Sequence, residues 1–293
     1  VYRPDLSASL TLAKTLAQWL RENGHEAYTA PEQKPIRGTA QIKRIHDLQK
    51  MNLVVVLGGD GTYLRASRLL AGAAIPILGV NLGSLGFLTP IRKEEVFTAV
   101  EQSLLNKMEL TPRSIMQVEV HKKGKTATSK SAIKKSVYLA LNDIVIERGS
   151  LSQLINICIH SERFLVSEIK ADGLIISSPT GSTAYNLAAG GPILHPDANV
   201  VVVTPIAPHS LTSRPLIFPD DKKLSFRLVK KLQPTQKQVQ MKAFLVLDGT
   251  KVDEIGPEDE IIVHRSPKDH LMVTFPNHNY FHLLREKLRF GDR

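Results

Sequence analysis

The run Leu53-Val54-Val55-Val56-Leu57 is apolar at every position, which is the pattern of a strand buried on both faces of a parallel sheet. It leads directly into Gly58-Gly59-Asp60-Gly61-Thr62, and a helical stretch follows over 63–70. A second buried strand over 75–80 enters another glycine turn, Asn81-Leu82-Gly83-Ser84-Leu85-Gly86-Phe87. Upstream, Leu10, Leu12, Ala13, Leu16, Ala17, Trp19 and Leu20 recur at helical spacing, and Gly24 stops the pattern. Val1-Tyr2-Arg3 reads as the tail of a first strand. Alternating strands and helices predict an open α/β domain over 1–108.

After Pro112 the texture changes. Strand-like segments at 114–121, 136–148, 153–160, 174–178, 200–205, 223–229, 243–247, 260–265 and 271–275 are separated by turn signals, with helix expected only near 184–189. This predicts a β-rich second domain over 109–275, a sandwich. A last helical pattern over 281–290 predicts that 276–293 returns to the first domain. A chain of 293 residues has room for two domains.

The formal charge is +10, from 38 basic and 28 acidic side chains, which suits anionic partners. The densest basic stretch, from His121 to Lys135, is rich in Ser, Thr and Gly and reads as a solvated hairpin loop. Aromatics make up 5% of the chain, and none interleave with that stretch as base-stacking would require. No nucleic-acid partner is therefore expected. No apolar run approaches the ~20 residues that span a bilayer, and no signal-peptide pattern is read, so neither is a membrane. The single cysteine, Cys158, rules out an internal disulfide framework and fits a reducing cytoplasm.

Three constellations carry chemistry. In the first, Gly58, Gly59 and Gly61 let the backbone approach a ligand, and the helix start offers N–H groups to phosphate. Thr62 and Arg65 extend that phosphate-binding set. A P-loop is excluded because no Gly-Lys-Ser/Thr follows, and the Gly-x-Gly-x-x-Gly spacing of a dinucleotide turn is absent. A carboxylate in such a turn repels phosphate. Asp60 makes sense if it takes a proton from an attacking hydroxyl or holds a metal that bridges phosphates; as a plain helix cap it would look the same. The second constellation, Asp172 to Tyr185, is a strand followed by the hydroxyl-rich turn Ser177-Ser178-Pro179-Thr180-Gly181-Ser182-Thr183, suited to phosphate or ribose. The third is the pair Asn142-Asp143 inside the apolar segment 136–148. On opposite faces of one strand, at least one of the two should reach a polar cleft.

Together these pieces resemble the NAD kinases: their Gly-Gly-Asp-Gly motif at Gly58–Gly61, their Asn-Glu/Asp motif at Asn142-Asp143, and their glycine-rich motif at Asp172 to Tyr185. Residues 81–88 and 208–215 resemble further family segments, in the expected order. The resemblance implies transfer of the ATP γ-phosphate to the 2′-hydroxyl of the adenosine ribose in NAD, giving NADP, with a divalent metal, Mg²⁺. It implies Asp60 as general base and Asp60 with Gly61 bordering the nucleotide. It also implies that Asn142, Asp143, Asp172 and the segment Thr183, Ala184, Tyr185, Asn186, Leu187 and Ala188 hold the dinucleotide. Gln153 and Thr250 lie where some members contact it. Lys170 lies where members vary with tolerance of NADH, and a cation there is consistent with preference for oxidised NAD. The implied fold is an open α/β (Rossmann-like) domain plus a β-sandwich domain with a ligand cleft between them. The implied assembly is a homodimer or homotetramer whose neighbouring subunit completes the site.

The Gly-Gly-Asp-Gly turn is shared with diacylglycerol-type lipid kinases, which would want an apolar acceptor pocket; the polar second and third motifs favour a dinucleotide. A nucleotide sensor without turnover would gain nothing from a carboxylate at Asp60. His195 and His209, each beside a proline, read as structural.

Overall fold

The computed structural model describes residues 1–123, 134–149, 153–229, 242–276 and 278–289. The chain forms two compact units, Val1–Arg113 with Lys268–Arg293, and Ser114–Pro267. Among the described residues no helix is long and apolar enough to cross a membrane.

The first unit is built on one sheet, in the order Val54–Gly58, Ile77–Asn81, His270–Thr274, Glu109–Arg113, with Ile91–Arg92 paired to Ile77–Asn81. The first three strands are parallel and Glu109–Arg113 is antiparallel. Val56, Leu57, Ile77, Leu78 and Val80 are buried, as a sheet covered by helices on both faces requires. The helix Ser7–Glu22 buries Ser9, Ala13, Leu16 and Ala17, one stripe at 3.6-residue spacing. Ser9 Oγ ties it to the sheet by donating to the Leu57 carbonyl at 2.9 Å. The expected first-strand tail is present only as a parallel bridge of Tyr2 to Leu57.

The second unit pairs two six-stranded antiparallel sheets. One runs Phe164–Ala171, Ile155–Ser161, Leu224–Leu228, Glu260–Arg265, Met116–Lys122, Lys134–Ala140; the other runs Leu216–Pro219, Val200–Ile206, Gly173–Ser177, Asp143–Arg148, Ala243–Leu247, Thr250–Ile255. Their facing side chains form one core that includes Val118, Ile157, Phe226 and Val263 from the first sheet and Ile144, Ile146, Leu174 and Val203 from the second. In the second sheet the alternate residues Val145, Ile175 and Val202 are buried too. The segment after Ser177 lies back over that face, where Thr204 Oγ1 donates to Asn186 Oδ1 at 2.6 Å.

Several expectations change. The segment 136–148 is two strands in different sheets, because the chain turns a corner at Leu141-Asn142. The strand placed at 271–275 belongs to the first unit, where it pairs with Glu109–Arg113; the units therefore divide at 113/114 and 267/268 rather than at 108/109 and 275/276. The edge strands Phe164–Ala171 and Thr250–Ile255 escape the sequence pattern because their exposed positions are polar or mixed, and Leu216–Pro219 because it is only four residues long and ends in proline. The final helix is Tyr280–Leu288, capped by Asn279 Oδ1, which accepts from Phe281 N and His282 N. Of the basic hairpin, Lys122 and Lys134 pair across the ladder, while 124–133 lie outside the described residues.

His270 sits in the middle of the first unit's sheet, 4% exposed. It shares a 2.7 Å hydrogen bond with the Tyr63 hydroxyl. Burial, reinforced by the nearby Arg113 charge, lowers its pKa from 6.5 to about 4. The unfolded chain therefore binds a proton that the folded chain refuses. The stability tied to His270 is complete above pH 6.5 and is lost as pH falls towards about 4, at roughly 1.4 kcal/mol per pH unit. Denaturant titrations across that window should show the slope, and His270→Gln should flatten it. An unchanged slope in the variant would assign the acid sensitivity elsewhere.

Candidate functional site

In the first unit the strand Val54–Gly58 delivers the chain to Gly59, and the helix Asp60–Leu70 begins at Asp60 itself, three residues before the expected start. The Asp60 side chain thus stands at the positive end of a helix. Its carboxylate is held from outside that helix. Phe87 N–H donates to Oδ2 at 3.0 Å, and Leu88 N–H and the Thr89 hydroxyl donate to Oδ1 at 3.1 and 3.0 Å. Asn81 extends the network, with Nδ2 donating to Thr89 Oγ1 at 2.8 Å and Oδ1 accepting from Gly83 N–H at 2.6 Å. The second glycine turn is thereby folded around Asp60. Gly86 passes so close that a Cβ there would fall on Asp60 Oδ1 and Thr89 Oγ1.

The rest of the glycine turn is open. A Cβ at Gly59 or Gly61 would meet nothing within 4 Å, and among the described residues no backbone hydrogen bond engages the N–H of Asp60 or Gly61. Asp60 borders a cavity of about 430 Å³ lined by Gly58, Gly59, Asn81, Gly83 and Lys287 among others. Thr62 packs its Oγ1 against Gly58, where a Cβ would lie at 2.5 Å. Arg65 departs from expectation. Its Nε is 2.9 Å from Glu32 and its Nη2 donates to the Tyr2 carbonyl, so its charge serves the chain's own fold rather than a phosphate.

In the second unit Asn142 and Asp143 stand at the corner between sheets, not on opposite faces of one strand. The corner exists because Asp248 captures it. The Asp248 carboxylate accepts from Leu141 N–H at 2.9 Å, Asn142 N–H at 2.8 Å and Asp143 N–H at 3.1 Å. Asp248 adopts φ +46° and Gly249 φ +74°, which makes the tight turn that presents this carboxylate. Burial, and then the neighbouring charge of Asp248, push the Asp143 carboxyl up to about 7. The segment after Ser177 packs against the same corner. Ser178 N–H donates to the Asn142 carbonyl at 2.9 Å and Ser178 Oγ to the Leu141 carbonyl at 2.5 Å. At Gly181 a Cβ would fall on the Asn142 carbonyl. Within this tight packing the side chains of Asn142 and Thr180 are buried, yet Asn142 Oδ1 and Thr180 Oγ1 find no partner. Two unsatisfied polar atoms on touching segments mark a place where an external group can bind.

The stretch 183–188 divides by role. A 3₁₀ turn at Thr180–Thr183 precedes the single helical turn Tyr185–Ala188. Ala184, Tyr185 and Ala188 are exposed, and Thr183 and Leu187 half-buried. Asn186 is fully buried and consumed internally: its amide nitrogen donates to the Ser182 and Pro192 carbonyls, and its oxygen accepts from Thr204. It supports the segment instead of facing a ligand. Asp172 pairs with Arg148 at 3.0 Å. Gln153, Lys170 and Thr250 are exposed, and among the described residues none is hydrogen-bonded to the corner.

Asn81 and Gly86 were visible only as part of a family-like segment, and neither Thr89 nor Asp248 was singled out. Asp248-Gly249 at a hairpin was the available signal, since Asp followed by Gly favours left-handed backbone.

The chain was compared with known proteins. The family model described as ATP-NAD kinase N-terminal domain matches residues 1–108, and that described as ATP-NAD kinase C-terminal domain matches residues 141–275. An NAD kinase of Bdellovibrio bacteriovorus is 55% identical over 293 residues, covering 100% of this chain and 91% of the relative. An NAD kinase of Geotalea daltonii is 38% identical, covering 96% and 94%. Among solved structures, yeast NADH kinase complexed with NADH superposes with a TM-score of 0.89 at 26% identity, covering 100% of this chain and 87% of that one. An Archaeoglobus fulgidus NAD kinase, with a TM-score of 0.69 at 24% identity over 93% and 94%, shares the fold. With both domain models matched and the full length aligned to such relatives, the chain belongs to the ATP-NAD kinase family.

Proposed function

We propose that the chain is an NAD kinase, transferring the γ-phosphate of ATP to the adenosine-ribose 2′-hydroxyl of NAD. Family membership supports the reaction, and the bonding of Asp60 supports its mechanism. A carboxylate has about four lone-pair sites; Oδ1 uses two, for Leu88 and Thr89, and Oδ2 uses one, for Phe87. One site on Oδ2 stays open, and the three bonds fix its direction. That lone pair accepts the proton as the ribose oxygen bonds to phosphorus and the bridging P–O bond breaks, releasing ADP; the proton then leaves to solvent. The open glycines and the N–H groups of Asp60 and Gly61 take the phosphate oxygens.

Recognition of NAD falls to the second unit, where Asn142 Oδ1, Thr180 Oγ1 and the exposed Tyr185 offer polar and stacking contacts. A proton held on Asp143 would let that carboxyl donate as well as accept. Asp172, Thr183, Ala184, Leu187, Ala188, Gln153, Lys170 and Thr250 keep dinucleotide contact as part of this reading. Among the described residues no cluster of three or more His, Cys, Asp or Glu could hold a metal. A divalent ion, Mg²⁺, would be carried on the ATP phosphates, where it would offset their charge. A homodimer or homotetramer in a reducing cytoplasm completes the proposal. The diacylglycerol-type alternative falls with the family assignment.

Incubation with NAD, ATP and Mg²⁺ should yield NADP, read with an NADP-specific dehydrogenase; a folded sample giving none sinks the reading. Asp60→Asn should lower turnover by the ~10²- to 10⁴-fold typical of a lost general base while NAD binding survives, and unchanged turnover would remove Asp60 from the mechanism. Gly86→Ala should displace the Asp60 carboxylate and reduce turnover on the order of 10²-fold, the scale of a misplaced catalytic group, without unfolding the unit. A fully active Gly86→Ala enzyme would show that the carboxylate's present position is not the working one.

A further inference from the structure

We infer that Lys287, on the C-terminal helix, is a phosphate-binding residue for the phosphoryl donor; this rests on the kinase reading above. The cavity beside the glycine turn has two cationic side chains in its wall, Arg3 and Lys287. Arg3 is already neutralised, since its guanidinium makes three hydrogen bonds to Asp5 at 2.7 to 3.1 Å. Among the described residues the Lys287 ammonium has no carboxylate partner. The anion in the same wall is Asp60, whose oxygens are engaged by loop 87–89. A polyphosphate lying on the open glycines needs cationic compensation, and Arg65, the arginine expected to supply it, is bound to Glu32. Lys287 is the cation left in place for that task. A half-buried ammonium on a flexible stem is suited to it, as a point charge on phosphate oxygens.

A second observation locates Lys287 at a junction. A further cavity of about 630 Å³ shares Asn81, Leu82, Gly83, Ser84 and Lys287 with the first and adds Arg289 and two ion pairs, Arg92 with Glu286 and Lys93 with Glu94. Their common wall is the segment 81–84 together with Lys287, so a phosphoryl donor reaching from the glycine turn into the second space passes Lys287. The helix is held in register with that loop at both ends. The Tyr280 ring stacks against Phe87, with centroids 6.4 Å apart, and Glu286 pairs with Arg92 at 3.4 Å. Leu283 and Leu284 are buried beneath it. Lys287 is therefore presented to the cavity by a packed helix.

The test compares Lys287→Met, which keeps the apolar stem, and Lys287→Arg with the wild type. Removing a charged hydrogen-bonding partner of phosphate should raise KM for ATP roughly tenfold to hundredfold and leave KM for NAD within twofold, while Lys287→Arg recovers most of the loss. In parallel, calorimetric titration with inorganic tripolyphosphate should show binding to wild type, weakened by the same factor in Lys287→Met. This second arm needs no turnover: absence of NADP formation would defeat the kinase reading, whereas tripolyphosphate binding would still report on Lys287. Equal KM for ATP in wild type and Lys287→Met, equal tripolyphosphate affinity, or a matching rise in both KM values would overturn the inference.

Discussion

Three consecutive peptide N–H groups, those of Leu141, Asn142 and Asp143, converge on the carboxylate of Asp248. At a corner where the chain leaves one sheet for another, those donors lose their ladder partners, and unpaired buried N–H groups cost about 1–3 kcal/mol each. One carboxylate satisfies all three and pins the corner to the neighbouring hairpin. Asp60 does the same in the first unit, collecting Phe87 N–H, Leu88 N–H and the Thr89 hydroxyl. In each unit a loop is shaped by an aspartate from another segment. The two differ in what is left over. Asp248 is enclosed by its corner and its charge is felt by Asp143; Asp60 is half-buried, with one lone pair directed outward.

The fold was legible where burial is two-sided. Leu53 to Leu57 and the run ending at Val80 announce themselves because every position is apolar, and the first unit's parallel core follows from them. It was less legible where one strand changes sheets. In the segment 136–148 strand-like residues flank Asn142-Asp143 on both sides, so the polar pair reads as an interruption within one strand rather than as a corner; the turn is imposed by Asp248, more than a hundred positions away in sequence. Glu109–Arg113 reads poorly because it is an edge strand that contains Pro112 and is largely exposed. The strand His270–Thr274 reads clearly as a strand, but sequence adjacency assigns it to the wrong unit, since strand pairing is not written in a strand's own residues.

The candidate site shows the same division. Motifs gave Asp60, Asn142 and Asp143 as chemically exceptional, because a carboxylate in a phosphate turn and a polar pair in an apolar run are both costly unless used. They could not separate residues that face a ligand from those that hold the facing residues. Asn186 sits within a motif yet is spent on Ser182, Pro192 and Thr204; Arg65 looks like a phosphate cation yet is spent on Glu32. Side-chain amides and guanidinium groups have several donors, and only their partners in space reveal where those donors go.

The position of His270–Thr274 has a consequence for how the chain comes to be folded. That strand lies between Ile77–Asn81 and Glu109–Arg113, so the sheet that carries Asp60 lacks an interior member until residue 274 has emerged from the ribosome. Residues 114–267 draw their pairings from within themselves, and the strand at 270–274 follows directly after them in the chain. The usual order, in which the N-terminal domain folds first during synthesis, is thus set aside: the beginning of the chain must wait until the middle has been made. The unit that carries Asp60 is completed around a strand that the chain supplies only after the whole of the other unit.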